Sequence, residues 1–342
     1  MSAPLSILDL APIVSGGDHA SALAETIAVA QAADAAGYSR FWVAEHHGMP
    51  SIASSAPAVL IGAIAAATER IRVGSGGVML PNHSSLVIAE QFGTLVALHG
   101  DRIDLGLGRA AGTDPTVSAA IRRNVGAETV DDFPNQVIEL LAYFGTIPPL
   151  ESGQGGRIVA IPGMGDSPEL WLLGSSDFSA RLAGMMGLPF AFAHHFAGGE
   201  MTDVVFDLYR RAFTPSVVLR EPRSAVAVAT VVGDDDADAR RRALPQALVQ
   251  LRMRTGRLPA RIPTIEEAEQ HPWTAAETEW VDARLAQQAV GSEATVRAAL
   301  DALTARTGAD EIVLAVQGSR LSDRLDTVRA LAPTPTPTST PA

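Results

Sequence analysis

The sequence predicts an α/β fold: a (β/α)8 barrel of the TIM type, with insertions. Three observations predict it. Short apolar runs alternate with helical stretches along most of the chain. Eight of those runs are apolar almost throughout, which marks parallel strands buried on both faces. No GxGxxG follows the first run, which weakens the rival reading, an open doubly wound sheet that binds a dinucleotide.

The elements follow in order. Residues 5–10 (LSILDL) form the first strand, and residues 18–36 a helix that Asp18 caps and Gly37 ends. RFWVA at 40–44 is the second strand. The Ala-rich helix 56–69 follows, with Pro57 tolerated in its first turn. IRVG at 71–74 is the third strand, followed by helix 85–99. IDLGL at 103–107 is the fourth, and residues 133–144 lie on a helix. LWLL at 170–173 and FAFA at 190–193 are the fifth and sixth strands, with helices 178–186 and 201–213 behind them. Residues 225–232 form the seventh. Helix 293–307, ended by Gly308, leads to the eighth strand, EIVLAV at 311–316, the one strand left without a clear helix after it.

Three segments depart from this rhythm. Residues 145–168 are rich in Gly and Pro, with a short hairpin expected at 157–161. Residues 234–290 are long, Arg-rich and mostly helical, and are where a mobile cover for the barrel mouth is looked for. Residues 333–342 (PTPTPTSTPA) are of low complexity, and disorder is expected there. One domain over residues 1–332 is the expectation.

Composition narrows the function. The net charge of −12 argues against a nucleic-acid partner, which needs a basic face, and gives no reason to expect an anionic membrane surface. The chain has no cysteine, so disulfides, thiolate chemistry and Cys-ligated metal centres are excluded. The first ten residues show no basic region with a long apolar stretch, and the apolar run 56–67 is too short to span a bilayer. A cytoplasmic enzyme is expected.

In a barrel of this kind the chemistry sits at the C-terminal ends of the strands. After strand two comes Glu45-His46-His47. Metal ligands, acid/base groups and satisfied rim residues compete here. Neighbours on an extended segment point opposite ways, so at most one of the two histidines faces the centre. That ranks acid/base or cofactor contact first, and no metal is expected. After strand three, Gly76-Gly77 allows close approach of a ligand, or an ordinary β-bulge. After strand four, Arg109 among small residues suits an anion such as a phosphate, or an ion pair at the rim. After strand five, Ser175, Ser176 and Ser179 open a helix, which makes either an anion site or plain N-capping by Ser176 or Asp177. After strand six, one of His194 and His195 is placed to point into the mouth.

These pieces, in this order, resemble the bacterial luciferase-like flavin-dependent monooxygenases. The resemblance is carried by WVAEHHGMP, SSAPAVLIG, IRVGSGGVMLPNH, AEQFGTL and RIDLGLGRAAGTD. It resumes at WLLGSSDFSARLAG and GLPFAFAHHF, and is weak over 214–290. It implies that His46 is the catalytic histidine, with Glu45 orienting it or touching the flavin. It implies a non-prolyl cis peptide at Gly76-Gly77 beneath the flavin ring, a phosphate contact at Arg109, and a phosphate turn at Ser175, Ser176 and Ser179. His47, His194 and His195 are further candidates for contact with substrate. The luciferase α subunit carries Glu where this chain has Ser175, and a reactive cysteine that this chain lacks; both departures bear on light emission rather than on FMN binding.

The resemblance further implies reduced FMN (FMNH2) supplied by a separate NAD(P)H-dependent reductase, dioxygen as co-substrate, and peroxyflavin chemistry on a small organic molecule. It implies a homodimer packed through the helices after strands two and three, where residues 56–67 are rich in Ala and Gly. Three alternatives stay open: an F420-dependent oxidoreductase on the same barrel, a flavin-binding protein without turnover, and a barrel enzyme for a phosphorylated substrate. The EHH motif favours FMN over F420.

Overall fold

The computed structural model describes residues 3–110, 115–121, 132–148, 158–197, 199–257 and 260–333. The first half runs β1 (Leu5–Asp9), α1 (His19–Ala36), β2 (Arg40–Val43), α2 (Pro57–Ala67), β3 (Arg72–Met79), α3 (Ser85–His99) and β4 (Ile103–Gly108). Then come α4 (Pro115–Ile121), α5 (Phe133–Tyr143), β5 (Glu169–Gly174), α6 (Asp177–Met186) and β6 (Phe190–Phe192). The short α7 (His194–Ala197) precedes α8 (Gly199–Ala212), β7 (Ser224–Val232) and α9 (Asp236–Arg254). The chain ends with α10 (Ile265–Glu269), α11 (Ala275–Leu285), β8 (Ala289–Gly291), α12 (Glu293–Thr307), β9 (Glu311–Val316) and α13 (Leu321–Ala330).

Eight strands close into a parallel barrel in the order β1-β2-β3-β4-β5-β6-β7-β9, with β9 pairing back onto β1. These are the eight strands that the apolar runs predict. Their outward faces and the inner faces of the helices make one continuous core, from Ile7 and Phe41 round to Leu314 and Val328. A smaller cluster fills the barrel interior: Leu8, Trp42, Trp171 and Val313, with alanines at 44, 191, 225, 227 and 315. Trp42 and Trp171 meet edge to face with ring centroids 5.5 Å apart. The small alanines on β6, β7 and β9 leave space above them, and the cavity described below opens there.

The structure corrects four details. A helix, α13, does follow the last barrel strand; it packs on α1, which closes the ring of helices. The 234–290 region contributes a ninth strand, β8, which pairs with the end of β7 outside the barrel. It is short, Ala289–Gly291, so no apolar run announces it. β3 does not stop at Gly74 but runs on to Met79, with a register shift between Gly76 and Val78 that lets the ladder resume. The expected hairpin is not formed in its described part, where 158–160 are irregular and 161–165 form a turn; residue 157 lies outside the described residues. The tail from 334 and the AGTD segment at 111–114 lie outside them as well. No helix among the described residues is long and apolar enough to cross a membrane.

The N-terminal ends of the strands carry a closed ion network. Arg40 opens β2 and donates to Asp104 (2.8 Å) and Glu311 (2.9 Å), with Glu169 at 3.2 Å. Arg72 binds the other oxygen of Asp104, and Arg223 binds Glu169 at 2.8 Å. The indole N–H of Trp42 also donates to Asp104. Burial acts to depress the Arg40 pKa, but the three carboxylates outweigh it and hold the guanidinium charged.

Candidate active site

A cavity opens at the opposite end of the barrel, at the C-terminal ends of the strands. It encloses about 980 Å³ of space, part of it open to solvent. Leu8, Trp42, Ala191 and Val313 form its base. Around the rim stand His46, Gly76, Gly77, Arg109, Ser175, Ser176, Ser179 and His195. The structure therefore brings eight of the eleven predicted residues to one cavity. Glu45, His47 and His194 are not among its lining.

The alternation of an extended chain explains the division after β2. Trp42, Ala44 and His46 face the cavity, and Glu45 and His47 point the other way. Glu45 is fully buried, and its carboxylate accepts from His47 Nε2 (2.7 Å), His83 Nε2 (2.7 Å) and the Met79 N–H (3.0 Å). Burial works to raise its pKa, but the His83 bond and charge, the His47 bond and the Met79 N–H prevail and hold it below the usual carboxylate range. The ligand atoms of Glu45, His47 and His83 lie within 4.8 Å of one another, close enough for a metal. The hydrogen bonds already account for the arrangement. Glu45 ties the end of β2 to the end of β3 and so fixes the chain around Gly76-Gly77. The expectation that Glu45 orients His46 finds no contact in this geometry.

His46 is held by its backbone, whose N–H donates to Ser54 O at 3.0 Å. Its Nδ1 is buried without a hydrogen-bond partner. Burial lowers its pKa, only partly offset by Glu45, so the ring is neutral at pH 7. His195 stands on α7 across the cavity. Its Nδ1 contacts Ala227 O at 3.2 Å, its Nε2 is buried and unpartnered, and burial pushes its pKa down to about 4. Two neutral imidazoles thus each present an unsatisfied nitrogen at one site. His194 is turned away: Nδ1 meets the Thr202 hydroxyl at 2.7 Å and Nε2 the Gln287 carbonyl at 2.9 Å. Its role is to anchor α7.

The Gly76-Gly77 peptide is cis, as the resemblance implied. A Cβ at Gly76 would stand 2.8 Å from Leu8 Cδ1 and 3.0 Å from Trp42 Cβ. A Cβ at Gly77 would stand 2.7 Å from the Gly106 carbonyl oxygen. Only glycines let β3 pass this close to its neighbours while lining the cavity.

The anion end lies on the β4–β5 side. Arg109 has its guanidinium 4.0 Å from the centre of the Phe178 ring and, among the described residues, pairs with no carboxylate. The rim ion pair considered for it from sequence is not formed there. Ser176 is the N-cap residue of α6 by backbone geometry, yet its side chain makes no capping bond. Capping by the Ser176 side chain is therefore not formed, and Ser176 lines the same cavity as Arg109, at the positive end of the helix. Gly174 permits the tight entry, since a Cβ there would lie 2.4 Å from Ser179 Oγ.

Sequence reasoning missed His83, Phe178 and Arg284. His83 lies within the IRVGSGGVMLPNH run and carried a signal. Phe178 is one residue past Asp177 in a turn already singled out. Arg284 sits in the 214–290 stretch, where no motif pointed to it.

Comparison with known proteins adds to this geometry. Residues 5–311 match the luciferase-like monooxygenase family. A luciferase-like monooxygenase of Escherichia coli is 44% identical over 312 residues, spanning 90% of each chain. The crystal structure of apo-MsnO8 superposes with a TM-score of 0.84 at 37% identity, over 96% of this chain and 97% of that one. The oxygenating constituent of 3,6-diketocamphane monooxygenase from Pseudomonas putida, a type II Baeyer-Villiger monooxygenase solved with FMN, shares the fold. Its TM-score is 0.71 at 21% identity, over 97% of both chains.

Proposed function

From the premise that this chain belongs to the luciferase-like monooxygenase family, we propose that it is an FMN-dependent monooxygenase that uses reduced FMN and dioxygen to oxidise a small organic molecule. The observation that carries the reading is the pairing, in one cavity, of Arg109, which meets no carboxylate among the described residues and stands by an uncapped helix start, with two neutral imidazoles that each keep one unpartnered nitrogen.

The residues fit the cofactor. Arg109 and the turn at Ser175, Ser176 and Ser179 would hold its phosphate. Gly76 and Gly77 would back its ring, where any side chain would collide with Leu8 or Gly106. Reduced flavin, when bound, supplies the two electrons that activate dioxygen. The chain supplies the rest. His46 Nδ1 holds or accepts a proton at the reacting end, as a neutral base with its pKa below the ordinary histidine value. His195 Nε2 offers a second neutral site opposite it. Leu8, Trp42, Ala191, Ala227 and Val313 keep water from the enclosed face. Glu45, with His47 and His83, positions the β2 and β3 ends without touching the cavity.

A separate reductase would deliver the reduced flavin. A homodimer through α2 and α3 accords with Val59, Val87 and Leu98, which are exposed apolar residues on those helices. The test mixes the protein with photoreduced FMN, then with oxygenated buffer. Reoxidation slower than that of free reduced FMN, with tight FMN binding, is the expected result. Reoxidation at the free rate overturns the proposal, and tight binding of F420 with no affinity for FMN moves the chain to the deazaflavin reading.

A further inference from the structure

A second chamber adjoins the first and shares His46, His195, Leu10 and Phe196 with it. Its described lining carries no Lys, Arg, Asp or Glu; Ile52, Val249, Ile262 and Val316 make its apolar walls. Phe196, Gln250 and Met253 then connect it to a shallower outer recess, which also holds Trp280 and Arg284. The three spaces form one path from the surface to the imidazole pair.

Arg284 is the only cation in the described lining of that outer recess, and it is half-buried. Its Nη2 donates to the His195 carbonyl and its Nε to Gln250 Oε1 at 3.2 Å. The remaining Nη1 has no partner, and no carboxylate pairs with this guanidinium, among the described residues. Burial alone depresses its pKa, with no nearby charge acting on it. Arg102, also half-buried, meets only neutral acceptors too, but it has four of them, whereas two fully buried arginines are paired with carboxylates. Arg40 pairs with three carboxylates and Arg324 with Asp9 and Glu25. A guanidinium drawn out of water against neutral acceptors is costly unless an anion completes it. Arg109, the other arginine on this path without a carboxylate partner among the described residues, is the proposed phosphate contact.

We propose that Arg284 anchors the carboxylate of a monoanionic substrate whose uncharged, largely apolar body lies in the second chamber and reaches the space between His46 and His195. Arg284 is the cation that lines the recess, and its one free terminal nitrogen suits a single carboxylate; Arg254 stands behind it, against the Trp280 ring. The flavin reading is needed only to name the occupant a substrate.

The test uses the full chain and matched probes: octanoate against octanamide, and 4-phenylbutyrate against its amide, by equilibrium dialysis. At least tenfold tighter binding of the acids is expected. In Arg284→Gln that preference should fall to within twofold. Gln250→Glu is the control for folding, because it gives Arg284 an intramolecular carboxylate while keeping the tie to His195. It should lose the acid preference as fully, at an unchanged or higher thermal midpoint. Equal affinity for acid and amide in the wild-type chain, binding of neither at millimolar concentration, or an intact preference in Gln250→Glu overturns the proposal. FMN titration in parallel separates the two readings. FMN binding without acid preference removes the Arg284 site alone; acid preference without FMN binding leaves that site and removes the flavin.

Discussion

The two ends of this barrel treat charge in opposite ways. At the N-terminal end, Arg40, Arg72 and Arg223 interlock with Asp104, Glu169 and Glu311, and each carboxylate meets at least two guanidinium groups. At the C-terminal end, His46, His195, Arg109 and Arg284 have no carboxylate partner on the cavity path among the described residues. Of the buried acids there among the described residues, Glu45 faces away and is spent on His47 and His83, Asp9 at the end of β1 on Arg324, and Asp323 lies beside Arg242, so none reaches the cavity path. Both ends sit on the same strands, so composition alone does not separate them. Polar groups completed within the protein hold the barrel shut, and polar groups left incomplete are held ready for something that is not protein.

The largest effect should come from breaking the closed end. Arg40→Met strands Asp104 and Glu311, both almost fully buried, without their shared cation. A loss of about 3–5 kcal/mol in unfolding free energy is expected by denaturant titration, the usual cost of orphaning a buried charge. Arg284→Gln, at the open end, should cost less than about 1 kcal/mol, since the two bonds it removes are offset by relief of a half-buried charge with no carboxylate partner. Equal losses from the two substitutions would erase the contrast.

The next largest effect should appear in rate rather than stability. His46→Ala removes an imidazole whose Nδ1 satisfies nothing in the fold. A fall of roughly a hundredfold or more in turnover is expected, the lower part of what a positioned acid or base contributes. FMN affinity should stay within about threefold, a change of less than 1 kcal/mol. Matching losses of binding and turnover would show that His46 is a structural residue like His194.

The contrast between the ends was partly legible in advance. Alternation along β2 separates His46 from Glu45 and His47, because an extended backbone fixes which way each residue points. The same argument, applied to His194 and His195, reaches the right division for the wrong reason. Those residues begin a helical turn, α7, and are separated by packing against Thr202 and Gln287. The cis Gly76-Gly77 peptide and the serine turn came from ordered motifs, whose spacing survives because the strands set it. What stayed hidden depends on long-range pairing. His83 reaches Glu45 across 38 positions, and Arg284 reaches the His195 carbonyl across 89. Periodicity carries no information at such separations, so the Glu45 clamp and the outer recess emerge only from the folded chain.

A pH titration sharpens the comparison at His195. Its folded pKa of about 4 lies below the ordinary histidine value near 6.5, because burial penalises the charged ring, with Arg284, His194 and His46 adding to the same effect. Below pH 6.5 the unfolded chain therefore binds a proton that the folded one refuses, and stability falls as pH drops toward 4. Between pH 7 and pH 5 this group should account for about 2 kcal/mol of lost stability. Buried carboxylates such as Glu45, whose pKa is lowered, lose stability in the same direction, so the quantity to measure is the difference between wild type and His195→Gln. A pH dependence identical in the two chains would mean that the cavity hydrates and protonates freely.

The smallest expected effect tests whether an incomplete cation is worth anything to the fold. Among the described residues Arg109 is laid on Phe178 rather than paired with a carboxylate, and it lines the same cavity as Ser175 and Ser176. Arg109→Met retains apolar contact with the ring but offers no charge. Its thermal midpoint should match the wild type, while FMN binds about tenfold more weakly, near the lower value for a hydrogen bond to a charged group. Riboflavin, which has no phosphate, should bind both proteins alike. If riboflavin also weakens tenfold in Arg109→Met, the arginine shapes the cavity instead of holding an anion, and the open end of the barrel would have one unpaired cation fewer to explain by ligand binding.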